Sequence, residues 1–163
     1  MASTQSFTEW NGAGQTATTA RPEMNLKNID DSSSAYSSYP VTAGNNSFGK
    51  YQAIVFAGSW NSLSAMTVKI GSNSPVTGVS IVGAIVTSYS TPSTAATGDS
   101  AMSTTGINVN FVSSSSAFGT GSSSASGGGT FYGQCLRLQM QTTSGAGPGD
   151  FGQQTLTYSW TES

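Results

Sequence analysis

The sequence predicts an all-β fold: an antiparallel β-sandwich, immunoglobulin-like or jelly-roll, with an extended N-terminal arm. Three observations predict it. Short apolar segments recur with alternating polar residues, the period-two repeat of strands with one buried face. Turns rich in Gly, Ser and Pro separate at least six of them, the spacing of an all-β sandwich. No segment sustains a helical period, and strong helix formers are scarce.

Residues 1–47 show little periodicity. Glu9-Trp10-Asn11 ends in the Gly-rich turn Gly12-Ala13-Gly14, and Met24, Leu26 and Ile29 mark a second short segment before Asp30-Asp31 and a serine run. Tyr36 and Tyr39-Pro40-Val41 read as extended chain, because a residue before proline is pushed out of helical space. Anchors this sparse predict an arm laid on its own body or on a neighbour.

Residues 48–163 read as the sandwich body. The apolar run 52–56 predicts a core strand. Met66, Val68 and Ile70 alternate with Ala65, Thr67 and Lys69, a strand with one buried face. Residues 79–89 are rich in Val and Ile, with Gly83 as a bulge. A polar loop covers 91–105, and Ile107, Val109 and Phe111 predict one clean strand. The Ser/Gly-rich stretch 113–129 reads as a flexible connector or a partner-ordered loop. Leu136, Leu138 and Met140 form the next strand, 144–152 a turn, and Leu156, Tyr158 and Trp160 the last strand.

Composition narrows the function. Charged residues are 7% of the chain, against roughly 25% in an ordinary soluble domain. Aromatic residues at 10% and a net charge of -2 do not fit a disordered chain. Two readings follow: a surface kept soluble by hydroxyls, or one that faces other subunits, where charge is depleted. Arg21, Lys27, Lys50, Lys69 and Arg137 are scattered, so no basic stripe predicts nucleic acid. The N-terminus carries no basic or apolar signal-peptide region, and no apolar run reaches transmembrane length. The expectation is synthesis in a host cytoplasm, without export and without a membrane partner.

Residue chemistry predicts no catalytic site, no cofactor and no metal. The chain has no histidine, which removes the commonest general base and metal ligand. Of the carboxylates Glu9, Glu23, Asp30, Asp31, Asp99, Asp150 and Glu162, only Asp30 and Asp31 adjoin, and neighbours on an extended chain point apart. They read as solvated turn residues, without the spacing of a calcium loop. The lone Cys135 reads as a buried, inert thiol. Gly127-Gly128-Gly129 lacks the Lys-Ser/Thr of a phosphate loop. Trp160 falls in register with Leu156 and Tyr158 and reads as core. Trp60 reads as core or interface, and Trp10 as an anchor in a neighbouring subunit. The expected interface set is Trp10, Met24, Leu26, Tyr36, Tyr39 and Trp60.

Asn45-Asn46-Ser47-Phe48-Gly49-Lys50-Tyr51 followed by Phe56-Ala57-Gly58-Ser59-Trp60-Asn61 resembles a pattern in small bacteriophage structural proteins. Leu136-Arg137-Leu138-Gln139-Met140, Gly149-Asp150 and Thr155-Leu156-Thr157-Tyr158-Ser159-Trp160 are similar to the closing hairpin of phage β-sandwich virion proteins. The resemblance covers residues 40–70 and 130–162. It implies a non-enzymatic virion component, a capsid decoration (cement) or tail-associated protein. Its expected partners are copies of itself, as a trimer or other homo-oligomer, and virion proteins such as the major capsid protein. Two alternatives stand beside it: a surface glycan-binding adhesion module using Trp60 or tyrosines, and a self-assembling filament subunit outside any virus. The assembly reading expects residues 1–30 to be removable without unfolding the body.

Overall fold

The computed structural model describes residues 2–113, 116–148 and 153–163. The chain is all-β, as expected, in two antiparallel sheets. The larger contains β1 (Thr4–Asn11), β2 (Thr16–Thr19), β3 (Lys50–Gly58), β5 (Val79–Val86), β7 (Phe111–Val112), β9 (Gly129–Gly133) and β10 (Cys135–Thr142). The smaller contains β4 (Ser62–Ile70), β6 (Ile107–Asn108), β8 (Ser124–Ser126) and β11 (Leu156–Glu162).

The large sheet runs β2-β1-β3-β10-β5, with β9 beside β3 and β7 beside β9. Residues 129–142 therefore follow β3 and then pass to β5: β9 pairs with Val55–Gly58, and β10 with Lys50–Gln52 and then all of β5. In the small sheet, β4 lies between β11 and the short strands β6 and β8.

The main core lies between the sheets. Ile54, Phe56, Ile81, Leu136 and Leu138 of the large sheet meet Leu63, Met66, Val68 and Ile70 of the small one. Leu63 and Met66 are three residues apart yet both point inward, because β4 takes an extra residue opposite β11. Its pairing steps from Thr67 to Ser64 while β11 steps from Ser159 to Thr161, and Ala65 sits at φ 53° in that bulge. A second cluster, Trp10, Tyr51, Ala53, Ala117 and Cys135, covers the far side of the large sheet. With a core on each face, β3 is buried from Lys50 through Phe56, which is why its sequence reads as a continuous run.

Several expectations are corrected. Residues 1–47 are not a separate arm. β1 pairs with β3 from Thr4↔Ala57 to Trp10↔Tyr51, and β2 folds back on it. Removing residues 1–30 therefore takes out a strand adjacent to the central one, and the body is not independent of it. Beyond β2, residues 20–47 form a strap without strands, apart from a 3-10 turn at Tyr36–Ser38, and the strap lies on the chain's own body. Arg21 N–H donates to the Phe7 carbonyl at 3.1 Å and Phe48 N–H to the Lys27 carbonyl at 3.0 Å.

Ile107 to Phe111 is two strands in opposite sheets, the alternation continuing while the chain crosses between them. Gly83 is not a bulge, since its register with Leu138 is regular. It is needed for close approach, because a Cβ there would lie 2.5 Å from Leu138 Cδ2 and 2.8 Å from the Arg137 carbonyl oxygen. β10 and β11 form no closing hairpin, for they lie in different sheets. Within 113–129, Ala117 is fully buried, Phe118 packs edge-on against Trp10, and β8 joins the small sheet. Residues 114–115, and Gly149-Asp150 with the end of the 144–152 turn, lie outside the described residues.

Candidate functional site

The strap does not close fully over the sandwich. Between it, the inner face of the large sheet and the end of the small sheet lies a groove of about 760 Å³. Met24 and Leu26 form the strap wall, Ile81 and Leu138 the floor, and Ile70 and Leu156 the opposite side. Ile81 and Leu138 belong to the main core and are each only 2% exposed, so the groove ends on the rim of that core. Tyr36 stands at its rim, 54% exposed, and Tyr39 is 40% exposed.

The groove brings together three of the six expected interface residues, Met24, Leu26 and Tyr36. Met24 and Leu26 are half-buried against the main core, while Tyr36 faces out, as does Tyr39 on the same strap. The two tryptophans belong elsewhere. Trp10 is 4% exposed and packs on Phe118 and Tyr132 in the second cluster, so it anchors the chain's own fold. Trp60 is 5% exposed, edge-on to Phe131. Neither indole offers the open face that sugar stacking or a neighbour's pocket requires, and the glycan-binding alternative loses Trp60. Trp160 packs on Phe56 at the core, as expected.

Beneath the strap lies a group of buried charges that the spacing of residues did not reveal. Phe56, Ile54, Gln52 and Lys50 share one face of β3, and Phe7, Glu9 and Asn11 share the matching face of β1. Toward one end this face turns polar, and the strap covers it. Gln52 donates its side-chain amide to the Arg21 carbonyl at 2.7 Å. Lys50 is wholly buried, and its Nζ donates to the Asp31 carbonyl at 2.5 Å, with Glu9 Oε1 at 3.5 Å and Asn11 Oδ1 at 3.4 Å. The Lys27 side chain is also wholly buried, with Nζ 2.5 Å from Asp31 Oδ1 and 2.6 Å from the Ser34 carbonyl.

Asp31 is therefore not a solvated turn residue. Besides Lys27 it accepts from Ser33 N–H, Ser34 N–H and the Ser34 hydroxyl. Burial pushes its carboxyl up, but the hydrogen bonds from Lys27 and Ser34 outweigh that and hold it well below the usual carboxylate range. Asp30 Oδ2 accepts Gly12 N–H at 2.8 Å, tying the strap to the β1–β2 turn. Glu9 and Lys50 shift the other way. Burial raises the Glu9 carboxyl and lowers the Lys50 ammonium, and their mutual attraction only partly opposes it.

A third ion pair lies on the far side of the large sheet, where Arg137 clasps Asp99 with Nε and Nη2 at 2.9 and 2.6 Å. This fork fastens the 91–105 loop to β10. Cys135 is fully buried, and desolvation pushes its thiol well up, which suits the inert role expected of it. Among the described residues no group of three or more His, Cys, Asp or Glu is placed to hold a metal ion. No described helix is long and apolar enough to cross a membrane.

No protein-family model, curated protein or solved structure matches this chain.

Proposed function

We propose that the chain is a non-enzymatic structural subunit of a bacteriophage virion, a capsid decoration protein that acts through subunit contacts. The observation that supports this most is the groove face. Exposed Tyr36 stands at the rim of an apolar floor, with exposed Tyr39 three residues along the strap, on a protein that draws two of its five cations, Lys27 and Lys50, into its interior. What remains outside that buried set is three cations and six carboxylates on a hydroxyl-rich chain. An exposed tyrosine beside an apolar centre, with Glu23 as the only charged residue lining the groove among the described residues, has the composition of a contact surface. The virion context itself rests on the resemblance of residues 40–70, since residues 130–162 do not form the closing hairpin that carried its other half. A tail-associated position fits the same surface, but the short single-domain chain favours the head.

Light scattering on the purified chain tests the contact face. Wild type is expected to form a closed oligomer as concentration rises, and the double variant Tyr36→Ser, Tyr39→Ser to remain a monomer at the same concentrations. The two tyrosines are 54% and 40% exposed, and thermal unfolding of the variant checks that it remains folded. An oligomer that persists unchanged in the variant would place the contacts on another face.

A further inference from the structure

Asn11 and Lys50 extend the β1–β3 register one step past Trp10↔Tyr51, so they sit opposite each other on the same face. Glu9, two residues back along β1, shares that face. Lys50 Nζ lies 3.4 Å from Asn11 Oδ1 and 3.5 Å from Glu9 Oε1. The Asn11 side chain is close enough to the Glu9 carboxyl to favour its charged form. Lys50, Glu9 and Asn11 are 0%, 2% and 7% exposed.

An amine is thus held against a carboxamide, with a carboxyl group hydrogen-bonded to the amine and beside the carboxamide on the same face, under the strap. Fixed proximity of this kind replaces a bimolecular encounter, and the bridging carboxyl is placed for proton transfer. We propose that Lys50 and Asn11 join in an intramolecular isopeptide bond that the chain forms on itself, with Glu9 relaying the protons.

The step balances without any cofactor or oxidant. The free amine of Lys50 attacks Asn11 Cγ, forming the C–N bond, and the carbonyl electron pair moves onto Oδ1, which takes the proton of the Glu9 carboxylic acid. The Glu9 carboxylate then removes a proton from Nζ and delivers it to Nδ2. The Cγ–Nδ2 bond breaks, ammonia leaves, and the proton on Oδ1 returns to Glu9. One carboxamide and one amine become one secondary amide and one ammonia. Burial favours the two forms this needs, since it lowers the Lys50 ammonium and raises the Glu9 carboxyl. The hydrogen bond from Nζ to the Asp31 carbonyl at 2.5 Å fixes the position of the amine. The bond would tie β1 to β3 covalently under the strap, and it does not depend on the virion reading.

Mass spectrometry of the purified full chain tests this. The intact mass is expected to lie below that of the unmodified sequence by one ammonia, about 17 Da. Tryptic cleavage after Lys50 should be lost, and fragment 1–27 should appear linked to fragment 28–69. Glu9→Gln should leave the two fragments separate. An unmodified wild-type mass would overturn the proposal. So would a loss of ammonia with Lys50 still cleavable and the fragments unlinked, the signature of ring closure at Asn11-Gly12 instead. A linked product from Glu9→Gln would remove Glu9 from the step. Should that variant fail to fold, the wild-type digest decides the bond alone.

Discussion

Replacing Asp31 with alanine is expected to destabilise the chain by about 3–5 kcal/mol, because it leaves the buried Lys27 ammonium without its counter-charge. The Lys27 side chain is wholly buried and that of Asp31 is 29% exposed. Among the described residues, the Ser34 carbonyl would remain as its hydrogen-bond partner, and Ser34 is itself held by Asp31. The strap should loosen first, so residues 20–47 should become the earliest sites of limited proteolysis. Guanidinium unfolding followed by tryptophan fluorescence measures the loss, and a change under about 1 kcal/mol would show that Lys27 finds water or another partner.

The same carboxylate sets a pH dependence. Its folded pKa is depressed below the unfolded value of about 3.9. Its contribution is therefore fully present above about pH 4 and is lost as pH falls further. Glu9 and Asp30 are shifted upward, chiefly by burial, and oppose this trend in acid. The comparison that isolates Asp31 is with Asp31→Asn, which should be less stable at neutral pH and show a flatter acid limb below about pH 4.

Phe56→Ala is expected to cost a similar amount, about 3–5 kcal/mol, for a different reason. Phe56 is fully buried on β3 and touches Phe111 of its own sheet and Trp160 of the other, with ring centroids 5.7 and 5.2 Å away. Truncation leaves a cavity where the sheets meet, and regular strands on both sides can collapse only partly into it. The denaturation midpoint should fall with an unchanged slope. Tolerance of the change would mean that the sheets do not close on this ring.

The strands legible in the sequence are those whose apolar face meets one core. Met66, Val68 and Ile70 alternate, as do Leu136, Leu138 and Met140, because the opposite sheet lies over them. β1 escaped that reading because its inward residues are Phe7, Glu9 and Asn11. Two of these three are polar and face the covered charges, so no apolar repeat survives. Trp10 then appeared to belong to a loose arm, although it points to the other face and a separate cluster. The crossing between β6 and β7 was hidden because Ile107, Val109 and Phe111 keep their alternation across it. Lys50 looked scattered because its partners are brought to it only by the fold, Glu9 across a strand pair and the Asp31 carbonyl from the strap. The partner of Lys27, Asp31, is four residues on but gave no helical or strand pattern to mark the pairing. The groove was partly legible, since Met24, Leu26 and Tyr36 stood out as large side chains in a segment too sparse to form a core.

The most direct test of the structural role is the protein composition of particles purified by density gradient from cells that make this chain. A capsid decoration protein should band with the particles, survive a salt wash, and be present in many copies beside the major capsid protein. Its absence from the particle band, with the chain recovered only in the soluble fraction, would contradict the assignment.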